Sequence, residues 1–420
     1  MLAKQISDIQ QRITTQDIQF IDLRFYDLLG RMQHMTLSAS EISQSIWQSG
    51  YPITLNNFNG LHAEQSLRLK LNLGQVCMDP FYQDPTLAVD CQLVDASNDQ
   101  PIAQDTDCVI YQADQYLKSL FPSAQFKVST YISGSIFEEI NTKLSSDQAS
   151  VHCMSAVTGG GQAAMPPRDA NHDLRAAIAL TLKKVGLTSL THQALSNGRH
   201  AFLLPEADMI SMLHHLRLFK HVFKNVAHTY GKTATFLPFP SAGHCGNHLQ
   251  IHGSLTAPAG QFTDKQLQGF FSGIIKHLPV LNAWTNPTTN SYRRLAYLRS
   301  HASIPALAMH IDQSGLHFQL NFPDPLMNPA LAFSAILLAG IDGMQQTYPI
   351  KPDLSFHQLD FCDQLSSALS ALKTADGFLR QGQPTVFSDT LLASYTHFLQ
   401  QKINQIQSNP HPAEFIYDDH

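Results

Sequence analysis

The sequence predicts an α+β fold in two parts, a small one over residues 1–104 and a larger one over residues 105–420. Three observations lead there. Residues 18–39 alternate apolar and polar side chains on either side of Leu28-Leu29-Gly30-Arg31, the pattern of strand, glycine turn and strand. From about Asp105 the apolar spacing changes to that of long helices separated by strands. Finally, 420 residues, 43% of them hydrophobic, suffice for a large core and suggest two domains rather than one.

The elements follow in order. Ile18, Phe20, Asp22 and Arg24 carry the alternation of the first strand, and a second strand pair is expected near residues 86–94, after the turn at Asp79-Pro80. Further strands are expected over residues 126–132, 187–195, 248–254 and 317–322, where residues alternate or are β-branched. Residues 173–185 follow a proline pair and place Leu174, Ala177, Ala179 and Leu182 at helical spacing. A long helix over 209–230 ends at Gly231, where a C-cap glycine belongs. The next, over 327–344, begins after Asp324-Pro325; its apolar run 330–341 is too short for a bilayer, which takes about 20 residues, and reads as a buried helix. Residues 389–406 form a final amphipathic helix.

Composition excludes several classes. Charged residues are 14% of the chain, the net charge is −6, and Lys and Arg form no basic run, so neither nucleic acid nor membrane is an expected partner. The first ten residues mix polar and apolar side chains without a continuous apolar core, unlike a signal peptide. Six cysteines without a CxxC pair fit reduced thiols in a cytoplasm.

Chemical motifs are sparse. The run Thr158-Gly159-Gly160-Gly161-Gln162 could in principle cradle a phosphate, but it lacks the Gly-Lys-Ser/Thr end of a phosphate loop and reads rather as a plain flexible turn. His244, Cys245, His248 and His252 could form a zinc site or be loop and sheet histidines; on a strand, His248 and His252 share a face but stand well apart.

Longer motifs carry more. Asn286-Pro287-Thr288-Thr289-Asn290-Ser291-Tyr292-Arg293-Arg294-Leu295 resembles the NPTTNSYKRL segment of bacterial-type glutamine synthetases. Phe322-Pro323-Asp324-Pro325, Asn328-Pro329-Ala330-Leu331-Ala332-Phe333, Ala339-Gly340-Ile341-Asp342-Gly343 and the stretch from His228 to Phe236 are similar to other segments of that family. Ile21-Asp22-Leu23-Arg24-Phe25 with Gln33-His34 resembles its N-terminal β-grasp domain, and Pro410-His411-Pro412 with Glu414-Phe415 its C-terminal segment. The resemblance is collinear over nearly the whole chain. It implies an N-terminal β-grasp domain followed by a glutamine synthetase/guanido kinase-like catalytic-type α+β domain.

The family phosphorylates the glutamate side chain with ATP and lets ammonia displace the phosphate. Divalent cations between adjacent subunits of a hexameric ring stabilise the transferring group. Such hard cations need oxygen-rich, mostly carboxylate ligands, and the family supplies five glutamates and one histidine. By the resemblance those positions fall here on Ser129, Tyr131, Gln193, Ala201, Gln250 and Gln319, and a substrate arginine falls on Asn321. No acid occurs between Val128 and Phe137, Leu174 and Pro205, Gly243 and Ala257, or Gln313 and Pro323, so a shifted register rescues none of them. Two carboxylates about 4 Å apart repel by about 4 kcal/mol at an effective dielectric of 20. Once no cation is held, each neutral replacement relieves that cost.

Other parts of the family's machinery are replaced too. Its flexible-loop glutamate falls on Ser300, its ammonium-site aspartate on Asn56, and no Arg lies between Arg299 and Arg380 to bind phosphate. The tyrosine that some relatives adenylylate is not evident near Leu354-Ser355. Arg294 keeps the position that holds the substrate carboxylate and reads equally as a structural arginine, while His252 and Ser254 are the nucleotide-side candidates.

The expectation is a protein of this family without ligase activity, acting as a regulatory or assembly paralogue. Its partners would be copies of itself in hexameric rings, stacked up to a dodecamer, or a complete synthetase in mixed rings. No metal and no cofactor are expected. Two alternatives stay open: a diverged ATP- and Mg-dependent γ-glutamyl amide ligase on another amine or acid, and an amino-acid-binding protein using Arg294.

Overall fold

The computed structural model describes residues 2–55, 61, 66–144, 149–155, 162, 164–188, 190–241, 245–258, 260–346 and 353–408. Helix α1 (Leu2–Thr15) buries Ile6 and Ile9. Strands β1 (Phe20–Tyr26) and β2 (Met32–Ser38) pair antiparallel about the turn at Gly30, whose φ of 71° suits a residue without a side chain. Asp27 closes that turn, its Oδ1 accepting from the backbone N–H of Leu29 at 3.0 Å and of Arg31 at 2.9 Å.

Helix α2 (Gln44–Ser49), β3 (Tyr51–Ile53), β4 (Leu67–Met78) and β5 (Thr86–Asp95) complete the first layer. Its five strands run in the order β2-β1-β5-β4-β3, with β1 and β5 parallel and the other neighbours antiparallel. This mixed sheet fits the β-grasp expectation, and the expected hairpin and second strand pair are both present.

The second sheet holds β6 (Gln125–Leu144), β7 (Ala149–Ser155), β8 (Thr191–Ala194), β9 (Arg199–Asp208), β10 (Thr233–Thr235), β11 (Leu249–Thr256), β12 (Leu307–Asp312), β13 (Gly315–Leu320) and β14 (Asp353–Leu354). Its main path is β14-β12-β13-β11-β6-β9-β8, with β7 and β10 also paired to β6. The strand expected over 126–132 is thus the start of a 20-residue strand, which continues because β7 and β10 pair with its far end. The strand expected over 187–195 shortens to four residues, since Gly186 and Leu187 still hydrogen-bond to the last turn of the preceding helix.

Helices α3 (Thr106–Leu120), α4 (His172–Lys184), α5 (Met209–Thr229), α6 (Asp264–Lys276), α7 (Leu278–Thr285), α8 (Thr289–His301), α9 (Pro329–Gln345), α10 (Leu365–Thr374) and α11 (Asp389–Gln407) surround this sheet. Four of them fall within about two residues of the helices expected from periodicity. α9 is buried from Pro329 to Gly343. It crosses α6 backbone to backbone: a Cβ on Gly273 would lie 2.1 Å from the Ala339 carbonyl oxygen, and one on Gly343 2.1 Å from that of Gly269. The glycines of the Ala339-Gly340-Ile341-Asp342-Gly343 motif therefore serve helix packing.

The two sheets share one contiguous core, from Ile6 to Ile403. Asn328 caps α9 through the Ala330 N–H at 3.0 Å and donates to the Leu28 carbonyl of the β1–β2 turn at 3.1 Å. Polar contacts join α5 to α3 and to the end of β4: Arg217 ion-pairs with Asp107 at 2.6 Å, and His221 Nε2 hydrogen-bonds to Asp79 Oδ2 at 2.9 Å.

Candidate functional site

The register of the large sheet decides which side chains meet. Ser129 on β6 lies opposite His252 on β11, which lies opposite Gln319 on β13, opposite Ala308 on β12. In the next row Tyr131 faces Gln250 on one side and Leu203 on the other; beyond it Ser133, Ala201 and Gln193 align. Residues paired in register, and those two apart on a strand, point to the same side. All six positions implied as metal ligands therefore share one face. The other face carries Val128, Ile132, Ile251, Leu255 and Leu320, fully buried in the core.

On the shared face these side chains bond to protein. Gln193 Nε2 donates to the Tyr131 hydroxyl. Ser129 Oγ donates to the Leu204 carbonyl at 2.9 Å, and Gln319 Nε2 to Asn321 Oδ1 at 2.8 Å, while Asn321 donates to the Pro305 carbonyl at 2.6 Å. Ala201 is fully buried. Tyr131 stacks on His248, with ring centroids 5.5 Å apart. Burial, reinforced by Arg294 and Arg199, pushes His248 down to about 3, so its ring is neutral.

Beside these residues lies an open cleft of about 360 Å³. His252, His310, His317 and Glu206 line it with Ser129 and Gln319. Ser254, one of the nucleotide-side candidates, donates to Glu206 Oε1 at 3.0 Å. Burial lowers the His252 pKa. Among the described residues no group of three or more His, Cys, Asp or Glu could hold a metal ion. Serine, amide and methyl groups at the implied positions do not fit a hard divalent cation, which is held by anionic oxygens.

Arg294 sits on α8 and is fully buried. Its Nη1 donates to the Phe322 carbonyl at 2.9 Å and its Nη2 to that of Asn321 at 3.3 Å. Burial pushes the guanidinium down to about 10, and buried Asp324 opposes that shift. Its polar contacts thus tie α8 to the exit of β13. Ser300 is exposed near the end of the same helix, its Oγ donating to the Ala296 carbonyl at 3.4 Å. Asn56, Gly159 to Gly161, His244 and the segment from Pro410 to Phe415 lie outside the described residues. Of the proposed zinc group, Cys245, His248 and His252 are described; His248 is turned onto Tyr131 and Ser133, His252 onto the cleft.

Sequence reasoning passed over Glu206, His310 and His317. Glu206 stands just past the acid-free stretch ending at Pro205. His317 shares the parity of Gln319 on β13, a signal strand alternation carried; His310 joins it only through the β12–β13 pairing.

The family described as "Glutamine synthetase, catalytic domain" matches residues 126–417. The chain is 31% identical to a glutamine synthetase of Neisseria gonorrhoeae, covering 94% of this chain and 96% of that one. It is 28% identical to a 3-hydroxylaminophenol mutase of Cupriavidus pinatubonensis, over 99% of both. A Plasmodium falciparum glutamine synthetase structure superposes with a TM-score of 0.85 over 98% of both chains at 16% identity, a likeness of fold.

Proposed function

The chain belongs to the glutamine synthetase family, and from that premise we propose that it is a non-catalytic member, kept for assembly or regulation. One observation carries the reading: the six positions implied as metal ligands hold Ser129, Tyr131, Gln193, Ala201, Gln250 and Gln319, and four of these side chains bond to their own protein. A cation there would meet neutral dipoles, and the charge of a transferring phosphoryl group would go uncompensated. Arg294 acts as a structural clamp in this reading, since both of its terminal nitrogens are engaged by backbone carbonyls. Copies of the chain assemble as hexameric rings, stacked up to a dodecamer, or enter rings of a complete synthetase in the cytoplasm.

The test is phosphate release with ATP, glutamate, Mg²⁺ or Mn²⁺, and ammonium or hydroxylamine. The expected result is none above background, with no Mg²⁺ or Mn²⁺ binding in calorimetry. Sustained metal-dependent release would overturn the proposal.

A second reading, a diverged enzyme, draws on the proton-transfer groups Glu206, His252, His310 and His317 in the cleft. One relative named as a mutase rather than a synthetase makes chemistry other than ligation worth assaying. Its signature would be turnover that persists in a chelator and falls in His252→Gln.

A further inference from the structure

A second cavity, of about 510 Å³, opens between the β1–β2 hairpin and helix α5 and shares no lining residue with the cleft. Its cations divide into two sets. Arg24 is paired with Asp22 at 2.8 Å and with Asp79, and Arg217 with Asp107 at 2.6 Å. His34 and His221 sit on the same two aspartates, Asp22 and Asp79, at 2.7 and 2.9 Å. Two arginines against three aspartates leave this floor with no unpaired positive charge.

Arg31, Lys220 and Lys224 differ. Among the described residues none of the three makes an ion pair or a side-chain hydrogen bond. Lys220 and Lys224 stand four residues apart on one helix, a like-charge spacing that disfavours the helix unless a counter-charge intervenes. Burial pushes Lys220 down to about 8; buried Asp324 opposes the shift, and Lys224 and Arg217 add to it. In a chain of net charge −6, three unpaired cations around one concavity create a local field that favours an anion.

The cavity is too large for a bare ion and falls within the range of small-molecule sites, about 300–1,000 Å³. Met32, Tyr82 and Leu326 supply an apolar wall beside the cations, and Tyr82 is 44% exposed. A phosphate monoester carries close to two charges near neutral pH and three acceptor oxygens. That matches three cations better than a single carboxylate does, and lysines serve phosphate as point charges.

We propose that this cavity binds a small organic phosphate, with its phosphate on Arg31, Lys220 and Lys224 and its organic part against Met32, Tyr82 and Leu326. The site does not rest on the reading of the large-sheet face, so either can fail without the other.

Calorimetry on the full-length protein at matched ionic strength tests it, with phenyl phosphate, inorganic phosphate and succinate as probes. Saturable binding of phenyl phosphate is expected, about tenfold tighter than inorganic phosphate, with succinate weaker than phenyl phosphate. Arg31→Gln and Lys224→Gln, both at exposed positions, should each weaken it about tenfold or more, the worth of one charge-assisted hydrogen bond. Lys402→Gln on α11 should leave it unchanged. Lys220→Gln is read only after its thermal midpoint shows it folded. No saturation, affinity unmoved in Arg31→Gln and Lys224→Gln, or succinate binding as tightly as phenyl phosphate would each overturn the proposal.

Discussion

At position 319 an amide does what a carboxylate could not. Gln319 donates to Asn321 Oδ1, and the Asn321 amide is committed to the Pro305 carbonyl. Gln319→Glu replaces that donor with an acceptor facing an acceptor. We expect a loss of about 1–2 kcal/mol, read as a shift in urea midpoint and not recovered by adding Mg²⁺. A second residue-scale prediction concerns buried histidines. His200 accepts from Arg175 Nη1 at 3.1 Å, and burial followed by the Arg175 charge pushes it down to about 3; His248 is pushed equally low. Both are neutral in the folded chain, whereas an unfolded histidine takes a proton near pH 6.5. Their contribution is therefore fully present above pH 6.5 and is lost as pH falls toward 3, by about 1.4 kcal/mol per pH unit for each. Urea titrations at pH 7.5 and 5.5 should show this loss, and His200→Gln should reduce it by about 1.4 kcal/mol.

Helix α9 shows how an element can be legible while its reason is not. Its apolar run marks a buried helix, and it is buried along nearly its whole length. That Gly343 of α9 meets Gly269 and Gly273 of α6, and Gly340 the Phe270 ring, depends on a crossing between segments some 70 residues apart, which periodicity within either helix does not encode. Gly273→Ala should cost about 3 kcal/mol, because the added methyl meets the Ala339 carbonyl in a packed core. Gly377→Ala, where nothing lies within 4 Å of the added atom, should stay within about 0.5 kcal/mol and serve as the control in the same thermal melts. The β1–β2 hairpin behaves alike: its turn was written in Asp27 and Gly30, but its docking on Asn328 was not.

For the whole molecule, a core runs continuously through both sheets, and under the proposed non-catalytic reading that scaffold needs no bound cation. Light scattering should therefore give a mass well above one chain that is unchanged in a chelator; a monomer, or dissociation by chelation, would contradict ring assembly without metal. By itself the sequence determined the α+β class, the main helices, the hairpin and the identity of the residues at the implied ligand positions, because helical spacing, turn chemistry and collinear motifs are local properties of the chain. Tertiary structure alone decided what those residues do. Strand register put Ser129, Tyr131, Gln193, Ala201, Gln250 and Gln319 on one face and joined Glu206, His252, His310 and His317 around one cleft. Burial turned Arg294 onto backbone carbonyls, and the approach of α5 to the hairpin gathered Arg31, Lys220 and Lys224 around a cavity. Charges thinly spread along the sequence became a local field because folding brings together in space what the chain holds nearly 200 residues apart.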